Sequence, residues 1–290
     1  MKIWYIVNPK SGTGKQQKAI DAIKSYADHK NQNEIFVTQY KSHASELAQK
    51  ALIENVDIIV SVGGDGTLNE ISRVIVNNNI ALGIIPIGSG NGLAHHLKVP
   101  FNLKKAIELI NRAKIEKIDT FTINNKRAVS IAGLGYDAFV AYKYDKSVKR
   151  GFLPYFSLAV QNFFKFKTEK YILTTKKERL ETSAFLITIA NSSQWGYNTK
   201  IAPKAQVNDG MLNISILKKP NILRAILLAP KLFLGKIDKT KIMTSIECTQ
   251  LDIERADKEK FYLHIDGEKE EQIDKIEIKC DIASLNIVVP

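Results

Sequence analysis

Two cysteines in 290 residues, Cys248 and Cys280, supply no disulfide framework. Unpaired thiols fit a reducing cytoplasm. Long apolar runs are also missing. The best, Ile222 to Leu234, is interrupted by Arg224, Pro230 and Lys231, short of the ~20 apolar residues of a spanning helix. The N-terminus runs straight into a strand-like Ile3–Val7, without the charged, apolar and cleavage regions of a signal peptide. Repeats and low-complexity linkers are absent. Acidic residues are the scarce charge: 30 Asp+Glu stand against 42 Lys+Arg, a formal net charge of +12. The expectation is a cytoplasmic protein whose charge either attracts an anion (nucleic acid, nucleotide or anionic membrane) or is a solvated surface. What is present is ordinary: 44% hydrophobic and 25% charged residues describe a folded chain of one large or two modest domains.

The two halves read differently. Up to about residue 115, strands alternate with helices: Lys2–Val7, a helix from Gln16 to Ala27, Glu34–Thr38, a helix His43–Glu54, Asp57–Val62, a helix Thr67–Asn77, and Ala81–Pro86. In His43–Glu54, Ala44, Leu47, Ala48 and Ala51 share one helical face. Asp57–Val62 has the unbroken apolar core of a parallel strand buried on both sides. This alternation predicts a doubly wound sheet. After about Thr120, short β-like runs predict an antiparallel sandwich or barrel. They are Ala128–Ala132, Ala184–Ala190, Leu212–Leu217, Ser245–Ile253, Phe261–Ile265, Lys275–Lys279 and Leu285–Val289. Two helical stretches, Tyr155 to Phe166 and Ile222 to Leu234, interrupt them. The boundary falls near residue 122.

Three glycine-rich loops follow strands of the first half. Asn8-Pro9-Lys10-Ser11-Gly12-Thr13-Gly14-Lys15 can turn backbone N–H groups toward a phosphate at a helix N-terminus, or serve as a tight turn. It lacks the spacing of a Walker loop. Gly63-Gly64-Asp65-Gly66-Thr67 leads into a helix carrying Asn69 and Glu70. Its Asp65 brings a carboxylate to a strand's carboxyl end, suited to Mg²⁺ or to a proton in phosphoryl transfer. Pro86-Ile87-Gly88-Ser89-Gly90-Asn91-Gly92 precedes the third helix start. Such loops at consecutive strand ends line one crevice.

In that order and spacing, Asn-Pro-Lys-Ser-Gly, Gly-Gly-Asp-Gly-Thr-Leu-Asn-Glu and Gly-Ser-Gly-Asn-Gly-Leu-Ala resemble the catalytic domain of the diacylglycerol kinase family, which includes sphingosine and ceramide kinases. The resemblance continues through Ala132-Gly133-Leu134-Gly135-Tyr136-Asp137-Ala138, Asn208-Asp209-Gly210-Met211-Leu212 and Asp266-Gly267-Glu268. It covers nearly the whole chain. It implies an α/β nucleotide-binding domain like that of NAD kinase and phosphofructokinase (residues 1–122), then a β-sandwich domain (123–285), with 286–290 returning to the first. ATP is implied in the cleft between them.

Carried over position by position, the resemblance implies nucleotide contacts at Asn8, Pro9, Lys10, Ser11, Gly12, Thr38, Gly64, Asp65, Gly66, Thr67, Leu68, Asn69, Glu70, Ser89 and Asn91. Asp209, with the main-chain oxygens of Gln206 and Met211, matches a structural Mg²⁺ site; alone it reads as a hairpin turn. Glu268 is the first choice for the base that accepts the acceptor hydroxyl's proton. Asp65 is its rival, and Asp266 either assists Mg²⁺ or forms the turn before Glu268. Gly88-Ser89-Gly90-Asn91 departs from the Gly-Thr-x-Asn of many bacterial diacylglycerol kinases toward sphingosine kinases. The implied activity is an ATP- and Mg²⁺-dependent lipid kinase acting on diacylglycerol or a related lipid alcohol, with a sphingoid base as the rival acceptor. NAD kinase shares only one loop. A non-catalytic sensor would not need Asp65 and Glu268.

Basic residues flank aromatic segments at Lys149-Arg150 and Lys165-Phe166-Lys167, a composition that suits either a membrane interface or an ordinary core helix. The expected partners are a lipid substrate at an anionic membrane surface, with a homodimer left open. No recognition helix or basic aromatic platform for nucleic acid is present. His95 and His96 lack partners at metal-ligand spacing.

Overall fold

The computed structural model describes residues 1–12, 14–145 and 152–290. Thr13 of the first loop and the basic lead-in Lys149-Arg150 lie outside the described residues. The chain divides into two units, Met1–Asp119 with Ile282–Pro290, and Thr120–Asp281. The sequence reading puts these boundaries at 122 and 286.

The first unit runs β1 (Lys2–Val7), α1 (Gln16–Tyr26), β2 (Gln32–Val37), α2 (His43–Ile53), β3 (Ile58–Gly63), α3 (Asp65–Ile75), β4 (Ala81–Pro86), α4 (Gly92–His96), α5 (Leu103–Arg112) and the start of β5 (Ile115–Ile123). Its strands lie in the order β2-β1-β3-β4, all parallel. Every residue of β3 and β4 is buried, as strands covered by helices on both faces must be. Helix α2 buries Ala44, Leu47, Ala48 and Ala51, the face expected from their spacing. Helix α3 begins two residues earlier than its apolar pattern suggests. Gly64 is its N-cap, and Asp65 already lies in the first turn.

The second unit continues with β6 (Lys126–Ala128), β7 (Ile131–Gly135), α6 (Tyr136–Asp145), α7 (Phe152–Asn162), β8 (Glu169–Thr174), β9 (Arg179–Ala184), β10 (Leu186–Ala190), β11 (Gln194–Gly196), β12 (Thr199–Lys200), β13 (Leu212–Leu217), α8 (Ile222–Phe233), β14 (Met243–Cys248), β15 (Gln250–Arg255), β16 (Leu263–Ile265), β17 (Glu268–Lys269) and β18 (Lys275–Val288). One antiparallel sheet has the order β14-β13-β10-β7-β16-β17, and the other runs β18-β15-β8-β9. Phe121, Leu134, Tyr171, Ile189, Leu251, Phe261 and Ile278, drawn from both sheets and the Phe261 bridge, share one core, which defines a sandwich. Helices α6, α7 and α8 pack over a second cluster built on Tyr136, Phe166, Phe185, Leu186 and Ile201.

Several β runs resolve differently from their sequence patterns. Ala128–Ala132 splits into β6 and β7, because the N–H groups of Val129 and Ser130 are bonded to a side chain, Asp266, rather than to a neighbouring strand. Ala184–Ala190 divides at Phe185, and Ser245–Ile253 at Thr249. The last two runs fuse into one 14-residue strand, whose Asn286 and Ile287 pair in parallel with Ala81 and Leu82 of β4. The first helical insertion is Phe152–Asn162 rather than Tyr155–Phe166.

Candidate active site

From β1 the chain proceeds to β2 on one side, then returns to β3 on the other, so the sheet's topological switch point lies between β1 and β3. Open α/β sheets bind ligands in the crevice at that point, outside the strands' carboxyl ends. All three glycine-rich loops leave carboxyl ends there, after β1, β3 and β4.

The loops are tied to one another by backbone. Asn8 donates its N–H to Val62 O at 3.0 Å, and its side-chain amide donates to Thr67 Oγ1 at 2.9 Å. Its Oδ1 accepts the Lys10 N–H at 2.9 Å. Ile87 and Gly88 both donate to Gly63 O, at 3.0 and 2.9 Å. The Asp65 carboxylate reaches the third loop, accepting the N–H of Asn91 on Oδ2 and of Gly92 on Oδ1, each at 2.8 Å. Asp65 thus lies in the first turn of α3 and at the start of α4, where exposed N–H groups favour an anion. Two glycines are required by this packing alone. A Cβ on Gly12 would stand 1.9 Å from Ile87 O, and one on Gly88 2.4 Å from Gly64 Cα.

Other residues of the first unit divide by what they hold. Glu70 accepts the N–H groups of Ser42 and Ala44, at 3.1 and 3.2 Å, and so caps α2. Thr67, Leu68 and Asn69 are buried within α3, and Thr38 is buried at the end of β2 with its N–H on Val7 O. Lys10, Gly66 and Ser89 are exposed, whereas Pro9, Ser11, Gly12 and Gly64 are half-buried and Asn91 is buried.

In the second unit, Asp266 and Gly267 form the two-residue turn joining β16 to β17, with φ of 51° and 82°. Consecutive left-handed residues are what a type I′ hairpin needs, and Asp-Gly supplies them. The Asp266 side chain folds back on the stretch between β6 and β7. Its Oδ2 accepts the Val129 N–H at 3.0 Å, and its Oδ1 accepts those of Ser130 and Ile131 at 2.8 and 3.0 Å. Asn191 Nδ2 donates to Val129 O at 2.9 Å, and the Ser130 and Ser192 hydroxyls meet at 2.5 Å. Glu268, the next residue on β17, is half-buried. Beside it, buried His264 and Asp137 lie 3.4 Å apart, Nε2 to Oδ2. A Cβ on Gly133 would collide with both side chains.

The three loop motifs sit in the first unit, and residues 2–123 match the model of the diacylglycerol kinase catalytic domain. Residues 130–289 match that of the YegS C-terminal NAD kinase beta sandwich-like domain. The chain belongs to the diacylglycerol kinase family of lipid kinases. Among its relatives, a diacylglycerol kinase of Bacillus subtilis is 29% identical over 91% of this chain and 88% of its own length. One from Staphylococcus aureus is 25% identical over 75% of this chain and 70% of its own. A crystal structure of a diacylglycerol kinase from Bacillus anthracis has the same fold, with a TM-score of 0.78 at 20% identity over 100% of this chain and 97% of that one.

Within this lipid kinase, the remaining sequence-derived positions fall as follows. Asp209 and Gln206 are exposed in the loop before β13, and Met211 is half-buried. The Asp209 Oδ1 accepts the Met211 N–H at 2.9 Å, closing an Asx turn rather than a two-residue hairpin. Among the described residues no cluster of three or more His, Cys, Asp or Glu could hold a metal, and His95 packs on Phe101 with ring centroids 4.4 Å apart. Glu270, which resembles part of a solvated acidic run in sequence, pairs with Lys126, while Glu271 is exposed. Lys165 and Lys167 line a groove of about 650 Å³ with Phe139, Tyr262, Arg255 and Asp257. The His264–Asp137 contact and the Ser130–Ser192 contact carry no sequence signal, since their partners are 127 and 62 residues apart.

Proposed function

We propose that the protein transfers the γ-phosphate of ATP to the hydroxyl of diacylglycerol or a closely related lipid alcohol. The observation that carries this reading is the convergence of three glycine-rich loops at the switch point of the first unit, in a chain of this family. Exposed loop backbone and helix N-termini there suit a polyphosphate. In the reaction the acceptor oxygen attacks the γ-phosphorus, the bond to the β–γ bridging oxygen breaks, and ADP leaves. The hydroxyl proton must pass to a base within hydrogen-bond reach.

Glu268 is the base in this reading. Both oxygens of Asp65 accept backbone N–H groups of the third loop, bonds that stabilise its charged form and suit it to holding the second and third loops in register. Asp266 is likewise committed to three N–H groups and acts as an anchor. Mg²⁺, when bound, neutralises phosphate charge. A separate, structural Mg²⁺ would be held by Asp209 with the carbonyls of Gln206 and Met211; one carboxylate fits a cation that keeps several waters. Diacylglycerol is favoured over a sphingoid base by the names of the relatives, although Gly88-Ser89-Gly90-Asn91 leans the other way. The enzyme would work from the cytoplasm, held peripherally at the membrane.

The test is a labelled-phosphate assay with ATP, Mg²⁺ and a panel of lipid alcohols in mixed micelles. Glu268→Gln should lower kcat by ~10²–10⁴-fold, the range for removing a general base, with ATP affinity unchanged. Full turnover in Glu268→Gln would refute its role, and a panel in which no lipid gains phosphate would refute the activity.

A further inference from the structure

Helix α8 is apolar on two opposite faces, and protein covers only one. At 100° per residue, Ala225, Leu228, Ala229 and Leu232 fall on one side, where Leu228 and Leu232 pack against the cluster around Phe166 and Ile201. Leu223, Ile226, Leu227, Pro230 and Leu234 fall on the other. Leu223 is 71% exposed, Leu227 70%, Leu234 64% and Ile226 63%, and the helix contains no buried residue at all. A helix apolar all round is normally enclosed. A contiguous apolar surface of this kind marks an interaction site.

Its charge identifies the occupant. Between residues 218 and 241 there are seven cations, Lys218, Lys219, Arg224, Lys231, Lys236, Lys239 and Lys241, and a single acid, Asp238. That acid is paired with Lys204 at 3.7 Å. Arg224 and Lys231, seven residues apart, lie along one flank of the exposed apolar stripe. A second copy meeting this face about a two-fold axis would bring these cations against themselves, because such a contact is self-complementary. An anionic bilayer answers both features, taking the leucines into the acyl boundary and the cations at the headgroups.

We propose that α8 is an interfacial helix that docks the enzyme on anionic membranes. It lies in the plane of the surface: its 12 residues span about 18 Å, too short to cross. Asn221 fixes its start, with Oδ1 accepting the Arg224 N–H at 2.9 Å. This inference rests on the lipid kinase reading, since it gives the enzyme its route to a membrane-borne acceptor.

The experiment uses the full chain and sucrose-loaded vesicles of phosphatidylcholine with or without one-third phosphatidylglycerol. Wild type should sediment with the anionic vesicles, and Leu223→Gln/Leu227→Gln should bind them at least ~10-fold more weakly. Arg224→Gln/Lys231→Gln should lose the preference for phosphatidylglycerol, by roughly fivefold per cation. Emission of Leu227→Trp should shift to the blue on vesicles. With a short-chain, monomeric diacylglycerol, the leucine variant should keep wild-type kcat/KM, which also shows that it is folded. Undiminished vesicle binding by the leucine variant overturns the proposal. So does a wild-type dimer that the same substitutions convert to monomer without loss of vesicle binding. If wild type fails to phosphorylate the short-chain lipid, the kinase reading falls, while the vesicle result still decides the docking.

Discussion

Replacing Asp266 separates anchoring from chemistry, because the two roles predict opposite readouts. Its carboxylate serves three backbone donors at 2.8–3.0 Å, and the residue is 8% exposed. Asparagine is the informative substitution. It tolerates the left-handed conformation at φ 51° as well as aspartate does, so backbone strain does not enter. In Asp266→Asn the introduced amide oxygen could still accept from Ser130 and Ile131, but the new NH₂ would face the Val129 N–H. One buried donor then loses its partner, and two charge-assisted bonds become neutral ones. At ~1–3 kcal/mol for a buried donor left unsatisfied, partly relieved by relaxation, the expected loss is about 2–3 kcal/mol. For a unit of this size that lowers Tm by roughly 4–12 °C. Asp266→Ala strands all three donors and should cost about 3–6 kcal/mol. Calorimetry gives Tm. Turnover in mixed micelles, measured well below the transition, should stay within about threefold of wild type, since this exposes any group that touches reacting atoms. An Asp266→Asn protein with unchanged Tm and a hundredfold lower kcat would refute the anchoring role and return Asp266 to the chemistry.

Two further outcomes follow from the first unit. Gly88→Ala places a methyl 2.4 Å from Gly64 Cα, against backbone that cannot swing aside; it should cost about 1–3 kcal/mol, seen in denaturant midpoints, and weaken ATP binding in calorimetric titration. Burial, reinforced by nearby Lys98, pushes His96 down to about 4. Its folded value lies below its unfolded one, so its contribution is present above the unfolded pKa and is lost as pH falls from about 6.5 toward 4. Near pH 5 the loss amounts to about 2 kcal/mol at most, and His96→Asn should be correspondingly less sensitive between pH 7 and 5. Equal pH dependence in the two proteins would sink this assignment.

The first unit was readable from sequence because its rules are local. Alternating apolar periods located β1, α2, β3 and β4 within a residue or two, and glycine runs located the loops between them. The pattern was less explicit where partners are distant. Helix α6 escaped because Phe139 is partly buried while Ala138, Val140 and Ala141 are buried, leaving no single stripe to see. The break between β6 and β7 escaped because its cause, Asp266, lies more than 130 residues away. The short strand β17 carries only two residues, Glu268 and Lys269, and its pairing with β16 comes from a turn rather than from alternation.

The same distance problem governs the carboxylates. A sequence motif announces an acid as chemistry, yet an acid bonded to backbone N–H groups has a structural role. Asp57 receives the Lys2 N–H at 2.7 Å, Asp119 that of Ala283 at 2.7 Å, and Glu70 two donors at the start of α2. Asp65 and Asp266 belong with them by geometry, although both stand inside the motifs that resemble the family. Each donor held by a carboxylate would otherwise be left without a strand or helix partner. Backbone N–H bonds stabilise a carboxylate's charged form and so weaken it as a base. Asp65 and Asp266 carry such bonds on both oxygens, which suits a holding role. In the mechanism proposed above, Glu268 is the base; it follows the turn that Asp266 anchors and begins β17. In that proposal the D-G-E motif divides its labour, with the aspartate holding the loop, the glycine turning the chain and the glutamate moving the proton.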